Sequence, residues 1–159
     1  MFGKLFGKKT EVNKNEPQII EVTKPRAVKK FGGTRKLIAP LGSYVEVMKM
    51  VPNGKIITKG DIRNYLVKKY NADYIDSLTS EIYINIVINE AADGKIDNLP
   101  YWRILDYNGV LNIKFPGGVE NQKKMLEKEG NKVEDAGKYY YVKNYEKRTF
   151  KLIDNIDNK

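Results

Sequence analysis

Apolar residues take up a helical period from about Leu37 onward. Ser43 and Glu46 have the spacing of a capping box, and Tyr44, Val47, Met48 and Val51 follow on one face. Pro52-Asn53-Gly54 stops that helix, and Ile56-Ile57 reads as a short extended link. Thr58 and Asp61 repeat the capping signal ahead of a second helix bearing Ile62, Tyr65, Leu66 and Tyr70. Two short helices joined by a glycine-containing turn suit a helix-turn-helix arrangement.

Residues 76–92 support two readings. Ile82, Ile84, Ile86 and Ile88 alternate with Tyr83, Asn85, Val87 and Asn89, and this period of two, with its β-branching, favours a strand. The flanks favour a helix, because Asp76, Ser77 and Thr79 are capping types and Glu90-Ala91-Ala92 runs on without a turn signal. Beyond Pro100, segments 102–106 and 110–114 flank Tyr107-Asn108-Gly109, and Asn-Gly predicts a hairpin there. Pro116-Gly117-Gly118 opens a helix carrying Val119, Gln122, Met125 and Leu126 on one face, with Gly130 at its C-terminal cap. Extended segments around 139–143 and 148–152 predict a second hairpin. No internal repeat is visible.

Residues 1–30 show little period and are rich in Lys, Glu, Asn and Pro, which predicts a disordered or extended segment. Within it Phe2, Leu5 and Phe6 could form a short sticky turn for a membrane or a partner. Charge sharpens this division. The chain carries a net +9; residues 1–36 hold ten Lys and Arg against three acids, a net +7, which leaves only +2 for the rest. The chain therefore reads as a basic, disordered arm, 1–36, and one domain, 37–159, of a size that buries roughly two-thirds of its surface. A basic arm favours phosphate backbones or acidic surfaces through counterion release, or serves only to keep the protein in solution.

Composition also removes whole classes of chemistry. The chain has no cysteine and no histidine. Thiolate nucleophiles, imidazole triads, Cys/His metal sites and disulfides are thereby excluded. No catalytic residue, metal or cofactor is expected. Carboxylates such as Glu129 could act as a base, yet no paired-carboxylate or phosphate-cradling motif stands out. No apolar run approaches the length of a membrane span, and no secretory leader is apparent at Met1–Lys9, so a cytoplasmic monomer is the expectation.

One ordered series of motifs points further. Leu99-Pro100-Tyr101-Trp102-Arg103-Ile104-Leu105 is followed by Asn108-Gly109, then Phe115-Pro116-Gly117-Gly118, then Leu126-Glu127-Lys128-Glu129-Gly130. Upstream stands Val51-Pro52-Asn53-Gly54-Lys55-Ile56-Ile57-Thr58-Lys59-Gly60-Asp61-Ile62. From about residue 37 to 134 the chain resembles the DNA-binding domain of the alkylguanine-DNA alkyltransferases, the methylated-DNA cysteine methyltransferase family. That family has P-C-H-R-V, a turn, an aromatic before Gly-Gly, a helix ending in E-G, and upstream I-P-x-G-x-V-x-T-Y-G-D-I. The chain looks like a divergent bacterial, alkyltransferase-like branch in which P-Y-W-R replaces P-C-H-R.

The departures bear on function. Where the family's acceptor cysteine and its histidine stand, this chain has Tyr101 and Trp102. A phenol titrates near about 10 and lacks a base beside it here, so suicide alkyl transfer by the family's chemistry is excluded. The resemblance implies instead a non-catalytic protein that binds alkylated guanine by base flipping and passes it to a repair-protein partner. The fold it implies is α+β, a winged helix-turn-helix-like domain with small hairpins, in which 76–92 is a helix. Site roles follow from the same resemblance. Tyr101 and Trp102 would line the pocket for the extruded base, and Arg103 would secure the strand carrying them. Phe115 would pack against the base, and Thr58 and Gly60 would hold the start of the second helix near the DNA backbone. Each has a plainer counterpart: Trp102 as core, Arg103 as a tie between loops, Phe115 as ordinary packing.

Other features pull away from DNA. The tyrosine of T-Y-G is Lys59, which could meet a phosphate but cannot stack. The family's recognition helix inserts an arginine, yet residues 70–94 contain no Lys or Arg and hold Asp73, Asp76, Glu81, Glu90 and Asp93. A neutral wedge would fall to Tyr83 or Asn85. Phosphates repel such a helix, which favours a protein-interaction module on the same fold. Residues 138–151 interleave aromatics with five cations and one acid, so general nucleic-acid binding through that surface and the arm is a third reading, although tyrosines alternating in a hairpin are commonly just half buried.

Overall fold

The computed structural model describes residues 15–156. Residues 18–36, expected to belong to a disordered arm, form structure that runs on to Ile38. β1 (Gln18–Glu21) pairs antiparallel with β2 (Arg35–Ile38), and α1 (Pro25–Phe31) fills the connection. The unit is held by partners remote in sequence: Leu37 is buried in the core, Ile19 packs on it, and Phe31 stacks on Tyr74 with ring centroids 4.2 Å apart. The exposed cations of this segment mask its few apolar anchors, so a composition-based reading misses it. The cluster of Phe2, Leu5 and Phe6 lies outside the described residues.

α2 (Leu41–Lys49) starts at Pro40 rather than at the expected Ser43 box. Pro40 has an extended conformation that ends the preceding strand, the helix begins directly after it, and Ser43 is buried one turn inside. β3 (Ile57–Thr58) leads into α3 (Lys59–Lys69), whose capping box forms as the sequence predicts: Asp61 N–H donates to Thr58 Oγ1 at 3.1 Å, and Thr58 N–H donates to Asp61 Oδ2 at 2.9 Å. A tight turn does not join α2 to α3; residues 50–58, including β3, separate them.

β4 (Tyr74–Ile75) pairs parallel with β2 and enters α4 (Ser77–Ala92), capped by the Asp76 carboxylate, which accepts from Thr79 N–H at 2.8 Å. The helical reading of 76–92 holds. Ile84, Val87, Ile88 and Ala91 point inward, while Leu78, Ile82 and Ile86 are 69%, 50% and 37% exposed. The isoleucine alternation therefore straddles both faces of a helix, which is why it imitates a strand.

The predicted hairpin around Asn108-Gly109 is a turn without paired arms. Asn108 and Gly109 both have positive φ, and Asp106 N–H donates to Val110 C=O at 2.8 Å. A single helical turn over Tyr101–Arg103 precedes β5 (Ile104–Leu105), which pairs parallel with β3 instead. Ile104 and Leu105 are fully buried beside Ile57, so their burial places them in the core rather than in a surface ribbon. Gly109 is required for packing as well as φ, since a Cβ there would sit 2.6 Å from Cγ of Tyr145.

α5 (Val119–Lys128) follows Gly118 and ends before Gly130, as expected, with Asn131 N–H bonding back to Leu126 C=O. β6 (Val133–Asp135) pairs with β7 (Tyr140–Val142). The expected pairing of 139–143 with 148–152 does not occur. A short α6 (Tyr145–Arg148) intervenes, and Thr149 bridges to Ile56. The architecture is α+β, as predicted. One apolar core lies among α2, α3 and α4; a second joins Ile56, Leu105, Leu111, Leu126, Val133 and Val142, and Trp102 packs against both. Among the described residues no helix is long and apolar enough to cross a membrane.

Candidate functional site

The β3–β5 ladder sets Thr58 beside Leu105, and so brings Lys59 to the loop that follows β5. Lys59 is only 4% exposed. Its ammonium donates to Glu81 Oε2 at 2.7 Å, meets Asp106 Oδ1 at 2.8 Å, and donates to Asn112 Oδ1 at 3.2 Å. Three separate elements thus close around one cation: the start of α3, the first turns of α4 and the 106–114 loop. Burial would raise the Glu81 carboxyl, but the hydrogen bond and charge of Lys59 outweigh it and hold Glu81 below its usual value.

A cavity of about 430 Å³ opens over this cluster. Lys59, Gly60, Glu81, Asp106 and Asn112 line it, and Arg63 and Lys114 add cationic side chains. Leu78, Tyr107 and Ile113 also line it and are 69%, 74% and 69% exposed, an apolar, stackable rim. The volume falls in the range of small-molecule and base-binding clefts. Gln122, fully buried behind the wall, fixes the loop: its Oε1 accepts from Asn112 N–H at 2.8 Å, and its Nε2 donates to the carbonyls of Trp102 and Ile104 at 3.0 and 2.9 Å. Asn112 Nδ2 is buried and has no partner among the described residues. A buried donor left so costs about 1–3 kcal/mol.

Arg103 occupies a different centre. Its Nε and Nη2 form a two-pronged pair with the Glu129 carboxylate at 2.8 and 2.5 Å, and its Nη1 donates to Val51 C=O at 2.6 Å. Both side chains are about one-tenth exposed. Burial would raise the Glu129 carboxyl; the Arg103 hydrogen bonds and charge, helped by the Gly54 N–H, hold it below its usual value. The V-P-N-G, Y-W-R and E-G segments therefore converge on one ion pair. The plainer role weighed for Arg103, a tie between loops, describes these contacts.

The aromatic residues form a third group. Tyr101 stacks on Phe115 at 5.6 Å and meets Trp102 edge-on at 5.3 Å. Phe115 is buried at 3% exposure. Tyr101, Trp102 and Arg103 line another cavity, beside Ala91 and Ile96, and not the one over Lys59. The predicted site residues thus divide: Lys59 and Gly60 line one cavity, Tyr101, Trp102 and Arg103 another, and Thr58 serves as the helix cap. Lys59 directs its charge inward to two carboxylates. Tyr83 packs against the core with an edge-on contact to Tyr44, and Asn85 hydrogen-bonds Glu81. Glu81, Asp106 and Asn112 were not singled out as site residues. Gln122, an amide on an otherwise apolar helix face, was a sequence signal for the Asn112 loop alone, through its bond to Asn112 N–H.

Two solved structures have a similar fold. S. pombe Atl1, in complex with damaged DNA containing O6-carboxymethylguanine, superposes with a TM-score of 0.52 at 18% identity, over 69% of this chain and 93% of that one. The chain has the Atl1 fold. S. pombe ATL in complex with DNA gives 0.51 at 20% identity, over 71% of this chain and 98% of that one. No family model and no curated protein sequence matches the chain. The likeness to Atl1 therefore lives in the fold, with few shared residues.

Proposed function

We propose that this chain is a non-catalytic, alkyltransferase-like DNA-binding protein that receives an alkylated guanine, turned out of the duplex, in the cavity over Lys59. The carrying observation is that cavity: base-sized, polar at its floor, rimmed by Tyr107, Leu78 and Ile113, on the fold of a protein solved with O6-carboxymethylguanine DNA. Holding an extruded base needs stacking surfaces and fixed polar groups but no nucleophile, in keeping with a chain that has neither cysteine nor histidine. In this reading the Tyr101–Phe115 stack and Trp102 brace the 104–115 segment, and the protein acts as a monomer that marks the lesion for a repair partner.

A specific observation favours a second reading. Leu78, Ile82 and Ile86 form an exposed apolar row on α4, and residues 70–94 hold no Lys or Arg. Such a face suits a protein partner better than phosphates. Fluorescence anisotropy of labelled duplexes, with and without one O6-methylguanine and at two salt concentrations, separates the readings. Lesion binding tighter by tenfold and lost in Tyr107→Ala supports the first. Equal, steeply salt-dependent binding that disappears when residues 1–14 are deleted leaves only a basic arm on DNA. No binding turns the search to protein partners. The truncation stops at residue 14 because β1 and β2 belong to the folded domain.

A further inference from the structure

The β1–α1–β2 segment that folds against expectation is also one-sided in charge. From Lys24 to Lys36 it holds six cations and no acid. Lys24, Arg26, Lys29 and Lys30 are exposed, and none pairs with a carboxylate among the described residues. Arg26, Lys29 and Lys30 stand at i, i+3 and i+4, so α1 presents them on one face. A surface that only keeps a protein in solution intersperses both signs, and this one does not.

The helix is also fixed in place. Phe31 stacks on Tyr74, Asp73 accepts from Arg35 N–H at 3.0 Å, and a Cβ on Gly33 would sit 2.2 Å from an Asp73 oxygen. These contacts lock α1 to β4, which runs directly into α4. At the junction, the Thr79 hydrogen bonds hold the Asp76 carboxyl below its usual value. The charges of Lys36 and Lys30 act in the same direction, so both ammoniums are within electrostatic reach of the α4 N-terminus. Leu78, on the rim of the cavity over Lys59, follows Asp76 by two residues. The acids nearby are engaged internally, Asp73 by Arg35 N–H, Asp76 by Thr79 and Glu81 by Lys59.

We infer that the cationic face of α1 is a docking surface for a duplex phosphate backbone, held beside the start of α4 by the Phe31–Tyr74 stack. It supplies the cations that residues 70–94 lack. Phosphate contacts fix position without reading sequence, so this face sets where the duplex lies relative to the cavity. The assignment rests on the DNA-binding reading above.

Arg26→Gln, Lys29→Gln and Lys30→Gln together remove the face without touching a buried side chain. A matched control replaces Lys124, Lys128 and Lys132, three exposed cations on and after α5, with Gln. Anisotropy of unmodified and O6-methylguanine duplexes is followed across salt concentration for the full-length wild type and both variants, with melting temperature as the folding control. Each phosphate contact contributes about 0.9 to the slope of log affinity against log salt, so the α1 variant should lose about 2–3. The control should keep the wild-type slope, and lesion preference should stay within twofold in both. On the wild-type chain, lysine acetylation footprinting supplies a readout that needs no variant. Saturating duplex should protect Lys29 and Lys30 and leave Lys124 and Lys128 reactive. An unchanged slope in the α1 variant, an equal fall in the control, or unprotected α1 lysines overturns the assignment alone. Phosphatidylserine vesicles that release the α1 variant while its duplex slope holds move the face to lipid headgroups and overturn it too. If the wild type binds duplex without lesion preference, the base-binding reading falls and the slopes still decide the α1 contact. No duplex binding at all overturns both.

Discussion

Arg103 and Lys59 are both largely buried cations held by carboxylates, and they have opposite surroundings. Arg103 edges a cavity but is tied at each of its three nitrogens: Glu129 takes two donors, the Val51 carbonyl takes a third, and the Trp102 ring lies 5.2 Å from the guanidinium carbon. Lys59 is held from below by Glu81 and Asp106 and sits under an open cavity. Complete satisfaction marks a tie that holds loops together. A cation gathered on two carboxylates beneath an open cavity rimmed by Tyr107, Leu78 and Ile113 marks a place where something can bind.

Breaking the closed centre should have the largest effect. Glu129→Ala leaves a guanidinium buried without its partner and should cost about 3–4 kcal/mol, read as a lower urea midpoint. Lys59→Met should cost less, about 1–2 kcal/mol, because Glu81 and Asp106, with side chains 33% and 25% exposed, can reach water once the ammonium is gone. It should nevertheless disturb ligand binding more than Glu129→Ala does when both are compared per folded molecule by anisotropy. If Glu129→Ala abolishes binding at full folding and Lys59→Met leaves it untouched, the contrast between a structural and a binding centre is reversed.

Smaller perturbations sharpen the same contrast. Thr58→Ala removes one arm of the capping box below the cavity and should cost about 1 kcal/mol in chemical denaturation, with little change in which duplex is preferred. The acid limb of stability should report Glu129. Its carboxyl titrates below its ordinary value of 4.5 in the folded chain, so its contribution is complete above that value and is lost as pH falls through the lower, folded one. Urea midpoints measured from about pH 6 downward should therefore fall less steeply in Glu129→Gln than in the wild type. An unchanged slope would remove Glu129 from the acid response.

Much of the helical skeleton was legible because its signals are local. Thr58 and Asp61 cap α3 from three residues apart, and Gly118 and Gly130 bracket α5. The 76–92 segment was undecided by period, since Ile82 and Ile86 stand exposed where an amphipathic helix carries polar groups; the family likeness decided it, and α4 agrees. Asn108-Gly109 fixed a turn but not the partners of its arms. The site was less legible still. Lys59 was visible as a substitution in a motif, yet Glu81, Asp106 and Asn112, at distances of 22, 47 and 53 residues along the chain, carry no common pattern that marks them as its partners.

The sequence by itself determined the excluded chemistry, the caps and the left-handed turn positions, because each depends on residue identity or on bonds within a few residues. Tertiary structure decided that 18–38 folds, that β5 lies parallel to β3, that Lys59 faces inward and that Asn112 Nδ2 is buried without a partner among the described residues. Those outcomes depend on which distant segments pair in register and pack together in the folded chain. No single stretch of chain encodes the neighbours that satisfy, or fail to satisfy, its buried polar atoms.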